Sequence, residues 1–211
     1  MNLWQFPALE RMTAVLRGAL DPLGIEPKGS LLRPDTVDIF SDVDLLVSLE
    51  ILDMDTVIPA LSAVGPVFGY EVHPGDGCDV LRICFENGWR FDITFNYRIK
   101  KPFTDENKLI HEFWFIAVTA LMKLGRGDYL LAAHLALELW QSVIVMQMLE
   151  RDERKGTNIH RFGDREAVWL PSFVPPGDDI EDEIVQLVFQ AAERMDGVKC
   201  GKLREIYTKL S

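Results

Sequence analysis

The chain has 211 residues, enough for one sizeable core or two small ones, with 48% hydrophobic and 26% charged residues, as in a globular protein. Its formal net charge of −11 argues against a nucleic-acid partner, which requires a basic surface, and suits either plain solubility or attraction of a cationic small molecule. Cys78, Cys84 and Cys200 fit neither a disulfide framework nor zinc spacing, no uninterrupted apolar run reaches the ~20 residues of a bilayer span, and MNLWQFPALERM lacks the form of a signal peptide; a cytoplasmic chain with no membrane partner is expected.

Residues 9–20 carry apolar positions at helical spacing and stop before Asp21-Pro22 and Leu23-Gly24. Residues 40–49 read as a strand. Residues 53–64 fit a short helix capped by Asp53 or Asp55 and closed by Gly65-Pro66. A second strand is expected at 67–72. Residues 79–86 and 89–97 are rich in β-formers and flank Asn87-Gly88, which predicts a hairpin on a type I′ turn. The character changes near Lys100-Lys101-Pro102. Beyond Asp105 the chain reads as helix: EFWFIAVTALMKL, then the longer DYLLAAHLALELWQSVIVMQMLERD, then 182–194 and 202–210, with a proline-rich loop at 171–179. The expected organisation is α+β, with a mixed-sheet domain and flanking helices over residues 1–102 and a helical-bundle domain over 103–211.

The most informative stretch is GSLLRPDTVDIFSDVDLLVSL, residues 29–49, which holds Asp35, Asp38, Asp42 and Asp44. Residues i and i+2 of a strand face one side, so Asp42 and Asp44 project together while Val43 turns into the core. Adjacent like charges repel, and a divalent cation is the economical partner: Mg²⁺ takes one or two carboxylates plus phosphate oxygens and waters. Gly29-Ser30 lies upstream, where a small turn lets backbone N–H groups approach a phosphate. Downstream, FDITF sets Asp92 in a strand, expected in the same sheet, as a third metal ligand or a general base.

The combination of Gly29-Ser30, then Asp42-x-Asp44 with apolar neighbours, then Asp92 in a later strand resembles the nucleotidyltransferase superfamily of the DNA polymerase β type. The resemblance covers residues 28–97; Lys28 stands where that pattern usually has an apolar residue. The helical half, HEFWFIAVTALMKLGRGDYLLAAHLALELW, is similar to the helical domain of the bacterial antibiotic adenylyltransferases that modify aminoglycosides and lincosamides. The resemblance implies a nucleotidyltransferase-type fold and Mg²⁺-dependent transfer of a nucleoside monophosphate, AMP above all, from ATP or another nucleoside triphosphate to a hydroxyl of a small molecule. It makes Asp42, Asp44 and Asp92 the catalytic and metal-holding residues, and Gly29, Ser30 and Ser41 nucleotide contacts. It also raises Lys123 and Arg126 from solvated helix-end residues to candidate triphosphate contacts. A polycationic acceptor suits the acidic balance.

The helical acids Glu112 and Glu138 are candidates to face the acceptor, and either of them or Asp92 to deprotonate it. Trp114 reads as core packing. His73, His111, His134 and His160 show no ligand spacing. GTNIHRFGDRE, with His160 and Arg161, and the Gly-rich turn HPGDGCD read as plain connections. The rival reading is an antitoxin-like or regulatory protein of the same fold that binds a partner protein, and a third is transfer onto a macromolecule.

Overall fold

The computed structural model describes residues 3–33, 37–52, 54–74, 78–96, 99–100, 107–155 and 179–210. Outside the described residues lie Asp35, the proposed cap Asp53, residues 75–77 of the Gly-rich turn, Lys101-Pro102 and Asp105, the 156–166 loop with His160 and Arg161, and the proline-rich loop through residue 178. Two compact units are distinguished, Met1–Phe115 with Thr208–Ser211, and Ile116–Tyr207.

The first unit opens with helix α1, Gln5–Leu20, which buries Ala8, Met12 and Leu16 at four-residue spacing and ends at Asp21 in the left-handed conformation. Strand β1, Gly24–Pro27, was not expected from the sequence. A 3₁₀ turn over Gly29–Leu32 follows, then β2, Val43–Ser48. Next come β3, Ile51–Leu52; helix α2, Met54–Leu61; and strands β4, Val67–Pro74, β5, Cys78–Phe85, β6, Arg90–Asn96, and β7, Ile99–Lys100. Helix α3, Lys108–Gly125, begins in this unit.

The architecture is mixed α and β: a five-stranded sheet in the order β1-β2-β6-β5-β4, with β2 and β6 parallel and the other pairs antiparallel, together with six α-helices among the described residues. A separate pair joins β3 to β7. Alternation divides the middle of the large sheet into two chemistries. Val43, Leu45 and Val47 of β2, Phe91, Ile93 and Phe95 of β6, and Leu81, Ile83 and Phe85 of β5 form one buried cluster with Ala8, Met12 and Leu16 of α1 and Val57 and Leu61 of α2. The intervening positions, among them Asp44, Asp92 and Arg82, belong to the opposite face.

The β5–β6 hairpin departs from the expected type I′ turn. That turn requires positive φ at both central residues, yet Asn87 is not among the positive-φ residues, whereas Gly88 has φ +90°. The Gly88 N–H donates to Phe85 O at 2.9 Å and the Phe85 N–H to Trp89 O at 2.9 Å. This is a type I pattern closed by a left-handed glycine, and Asn87 Oδ1 accepts the Trp89 N–H at 2.9 Å.

In the second unit, helix α4, Tyr129–Lys155, buries Ala132, Ala136, Leu139, Trp140 and Val143. Trp140 Nε1 donates to Leu187 O of α5, Ile180–Met195, at 3.1 Å. Asp179 caps α5, and α6, Gly197–Leu210, packs Tyr207 edge-on against Phe189. The segment Tyr129–Arg151 has a mean hydropathy of 1.4 and is long and apolar enough to cross a bilayer, with 28% of that window buried. Its average is high although His134, Glu138 and Gln141, among others, interrupt the apolar residues, so it is not an uninterrupted apolar run. Leu130, Leu137, Val145 and Leu149 of this helix are exposed.

Glycine at position 69 is required by packing. A Cβ there would lie 2.5 Å from the Phe115 backbone nitrogen and 2.8 Å from His111 O, because the start of α3 rests on β4 at this point. Gly69→Ala is expected to destabilise the fold by ~2 kcal/mol or more, since backbone cannot swing aside as a flexible side chain can. Gly18→Ala, in open space on α1, is expected to stabilise it by ~0.5–1 kcal/mol. Urea denaturation of the two variants checks both signs.

Candidate functional site

The site is built by register. β2 and β6 pair in parallel with Asp44 opposite Asp92, and β5 sets Arg82 opposite Asp92 from the other side. β4 sets Glu71 opposite Arg82. One row of alternating strands therefore carries Asp44, Asp92, Arg82 and Glu71 side by side on the face that the core does not use.

Asp42 precedes β2 and owes its place to the loop before it. Gln5, buried on α1, donates its Nε2 to Asp38 O at 2.7 Å and to Ser41 O at 2.9 Å. Arg90, only 3% exposed, donates to Ile39 O at 3.1 Å and lies over the Trp4 ring, whose Nε1 donates to the same carbonyl at 3.1 Å. Ser41 Oγ donates to Asp38 Oδ1 at 2.9 Å and accepts the Asp38 N–H at 3.1 Å. The Ser41 hydroxyl thus closes this turn. Buried donors on fixed carbonyls leave the loop little freedom, and that rigidity passes to Asp42.

The turn at Gly29 closes the other side. Lys28 N–H donates to Asp44 O at 2.8 Å, which continues the β1 pairing for one residue. Gly29 then takes φ +58°. A Cβ at Gly29 would overlap Asp44 Oδ2 and lie 2.8 Å from Asp44 Cγ, so only glycine permits both the conformation and the approach. The Ser30 backbone N–H donates to the Asp44 carboxylate. Ser30 Oγ is buried and makes no hydrogen bond.

Electrostatics follow from this crowding. Asp92 is pushed up to about 7, first by burial and then by the Asp42 charge, with Arg82 opposing. Asp44 is also raised, by burial first and then by Asp42, against the Ser30 N–H and Arg82. Arg82 Nε lies 3.2 Å from Asp92 Oδ2. Among the described residues no three His, Cys, Asp or Glu side chains converge as a metal-ligand group. The expectation that the three aspartates meet around one point is thus met only as far as shared register and mutual field: Asp92 leans to the guanidinium, which relieves the repulsion among the carboxylates. The donor set itself, three carboxylates with hard oxygens and a surplus of negative charge, fits Mg²⁺, as does the unpartnered Ser30 hydroxyl beside it.

The remaining candidates belong to the helices or, for Arg126, to the end of α3. Glu112, in the first unit, pairs with Lys108 at 3.4 Å along α3. Glu138, in the second, lies 3.3 Å from His134 Nε2 along α4. Lys123 and Arg126 also belong to the second unit, where the Asp128 N–H donates to Lys123 O at 2.9 Å and the Arg126 N–H to Met122 O at 3.1 Å as α3 ends. His111 stacks on Tyr70 with ring centroids 4.4 Å apart, and Trp114 is buried against Phe68. Sequence reading missed Arg82, Glu71, Gln5 and Arg90. The signal for Arg82 lay in the hairpin, one residue out of register from the expected turn.

No protein-family model matches the chain, and no curated protein is significantly similar to it.

Because the folded state raises Asp92, it holds that proton more tightly than the unfolded chain between pH ~4 and ~7, and stability contributed by the site falls as pH rises through this window. In EDTA the wild-type chain is expected to lose on the order of one to a few kcal/mol from this group between pH 5 and 8. Asp92→Asn is expected to flatten the dependence and to melt higher than wild type at pH 8. Thermal melts at both pH values check this; equal slopes for the two proteins would contradict it.

Proposed function

We propose that the chain is a nucleotidyltransferase that moves a nucleoside monophosphate, most naturally AMP, from a nucleoside triphosphate to a hydroxyl of a small molecule of the aminoglycoside or lincosamide kind. The observation that carries the reading is the parallel register of Asp44 with Asp92, with Gly29 pressed onto the Asp44 carboxylate. The mixed sheet with helices on its core face supports a fold of the nucleotidyltransferase type.

Asp42, Asp44 and Asp92 would hold Mg²⁺, which supplies charge neutralisation of the triphosphate and orients it for in-line attack. Ser30 Oγ, buried and unpartnered, would donate to a phosphate oxygen. The acceptor oxygen forms a bond to the α-phosphorus, the bond from that phosphorus to the bridging oxygen breaks, and pyrophosphate leaves. Where Mg²⁺ takes only Asp42 and Asp44, Asp92, with its affinity for protons raised to the neutral range, would instead accept the hydroxyl proton. Lys123 and Arg126 remain candidates for the triphosphate, and Glu112 and Glu138 for a cationic acceptor.

A second reading, a partner-binding protein of the same fold, is favoured by the exposed apolar residues of α4.

Incubation with Mg²⁺, labelled triphosphates and a panel of aminoglycosides and lincosamides is expected to release pyrophosphate. Asp42→Asn and Asp44→Asn are each expected to reduce that release by ~10³-fold or more. Metal-free stability should be unchanged or higher, since each substitution removes one of two repelling charges. No turnover with any acceptor would sink the enzymatic reading in favour of the partner-binding one.

A further inference from the structure

Arg82 stands where negative charge is most crowded. The hairpin register sets it against Asp92, and the β4–β5 register sets it against Glu71. Its Nε lies 3.2 Å from Asp92 Oδ2, and its Nη1 donates to Glu71 Oε1 at 3.1 Å. The guanidinium thus bridges one carboxylate of the proposed metal site and one outside it. It also acts through space on Asp42 and Asp44.

The three side chains differ in freedom. Glu71 is 14% exposed, Asp92 23% and Arg82 44%. His73 Nε2 holds the same Glu71 oxygen at 3.0 Å. Glu71 is therefore an anchored acceptor, while the guanidinium is the half-exposed end of a long unbranched stem that swings at little cost.

We propose that Arg82 is the resident counter-ion of the carboxylate site and is exchanged for a divalent cation, giving up Asp92 while keeping Glu71. The inference rests on the reading that Asp42, Asp44 and Asp92 bind such a cation. One carboxylate oxygen cannot serve a guanidinium and a metal ion equally, and the two cations repel at a separation well inside the ~8 Å screening length of physiological salt. Arg82 therefore keeps the aspartates together without metal and sets a threshold on free metal. Glu71 lowers that threshold by offering the displaced guanidinium a partner.

The test uses Mn²⁺ alone, titrated into the full chain and followed by calorimetry and by electron paramagnetic resonance of the free ion. Arg82→Gln is expected to bind Mn²⁺ about tenfold or more tightly, and Arg82→Lys, which keeps the charge, to stay within about threefold of wild type. Glu71→Gln leaves the guanidinium wholly on Asp92 and is expected to weaken binding at least ~3-fold, and less so when combined with Arg82→Gln. This variant decides the matter if Arg82→Gln does not fold: unchanged or tighter binding in Glu71→Gln overturns the exchange. Unchanged or weaker binding in a folded Arg82→Gln also overturns it, and leaves the metal site standing provided that Asp42→Asn abolishes binding. Wild type that binds no Mn²⁺, with Asp42→Asn no different, overturns both the exchange and the metal site beneath it.

Discussion

Asp44 and Asp92 are held side by side by apolar residues that touch neither. In the parallel pairing of β2 and β6, Val43, Leu45 and Val47 run beside Phe91, Ile93 and Phe95, all fully buried. A slip of one residue would turn this set out of the core and carry the charges in. The register is therefore fixed by hydrophobic burial, at about 25 cal/mol per Å² of apolar surface, and the carboxylates have no route apart. Everything else at the site answers that confinement. The Ser30 N–H donates to Asp44, Gly29 brings it there, and Arg82 leans on Asp92.

Asp42 is held by a different device. It lies outside the ladder, so its position rests on side chains that reach across from elsewhere. Gln5 comes from α1 and Arg90 from the first residue of β6, and both donate to carbonyls of the Asp38–Ser41 turn. The core helix and the site strand are thereby tied to one loop. Removal of either donor would strip one of the hydrogen bonds these carbonyls accept and loosen the loop that carries Asp42, which couples core integrity to site geometry.

Much of this was legible in the chain. The alternation in VDLLV and FDITF placed Asp44 and Asp92 opposite the core residues. Gly-Ser upstream reads as a turn whose N–H groups approach a phosphate; in the structure the Asp44 carboxylate lies against Gly29 and takes the Ser30 N–H, which the sequence did not indicate. The neighbours of Asp92 were not legible, for one local reason. A two-residue type I′ turn at Asn87-Gly88 pairs residues whose numbers sum to 175, which sets Ile83 opposite Asp92. The observed turn pairs Cys84 with Arg90 and Arg82 with Asp92, a sum of 174. Asn87 side-chain bonding to the Trp89 N–H decides between them, and the choice of turn is the choice of which residue meets the carboxylate. β1 escaped notice because GIEP is short, carries a proline and lies at the sheet edge, where a missing N–H is tolerated. The helical acids and Lys123 and Arg126 were harder still, since the spacing of polar residues on a helix says only that they share a face.

The balance of charge sets this row apart from an ordinary ion-pair network. In a network built for stability, cations match anions and carboxylates ionise more readily than usual. Here burial outweighs the guanidinium, and Asp92 ends near neutrality of affinity for its proton, at about 7. Arg82 meets two carboxylates directly and lies in the field of the others, so one positive charge serves several negative ones. The shortfall costs stability whenever the carboxylates are ionised, and the apolar register prevents relief by rearrangement. On the proposed reading, such a group would be completed by positive charge from outside the chain, and its hard oxygens would favour a small divalent ion over an ammonium or a soft metal.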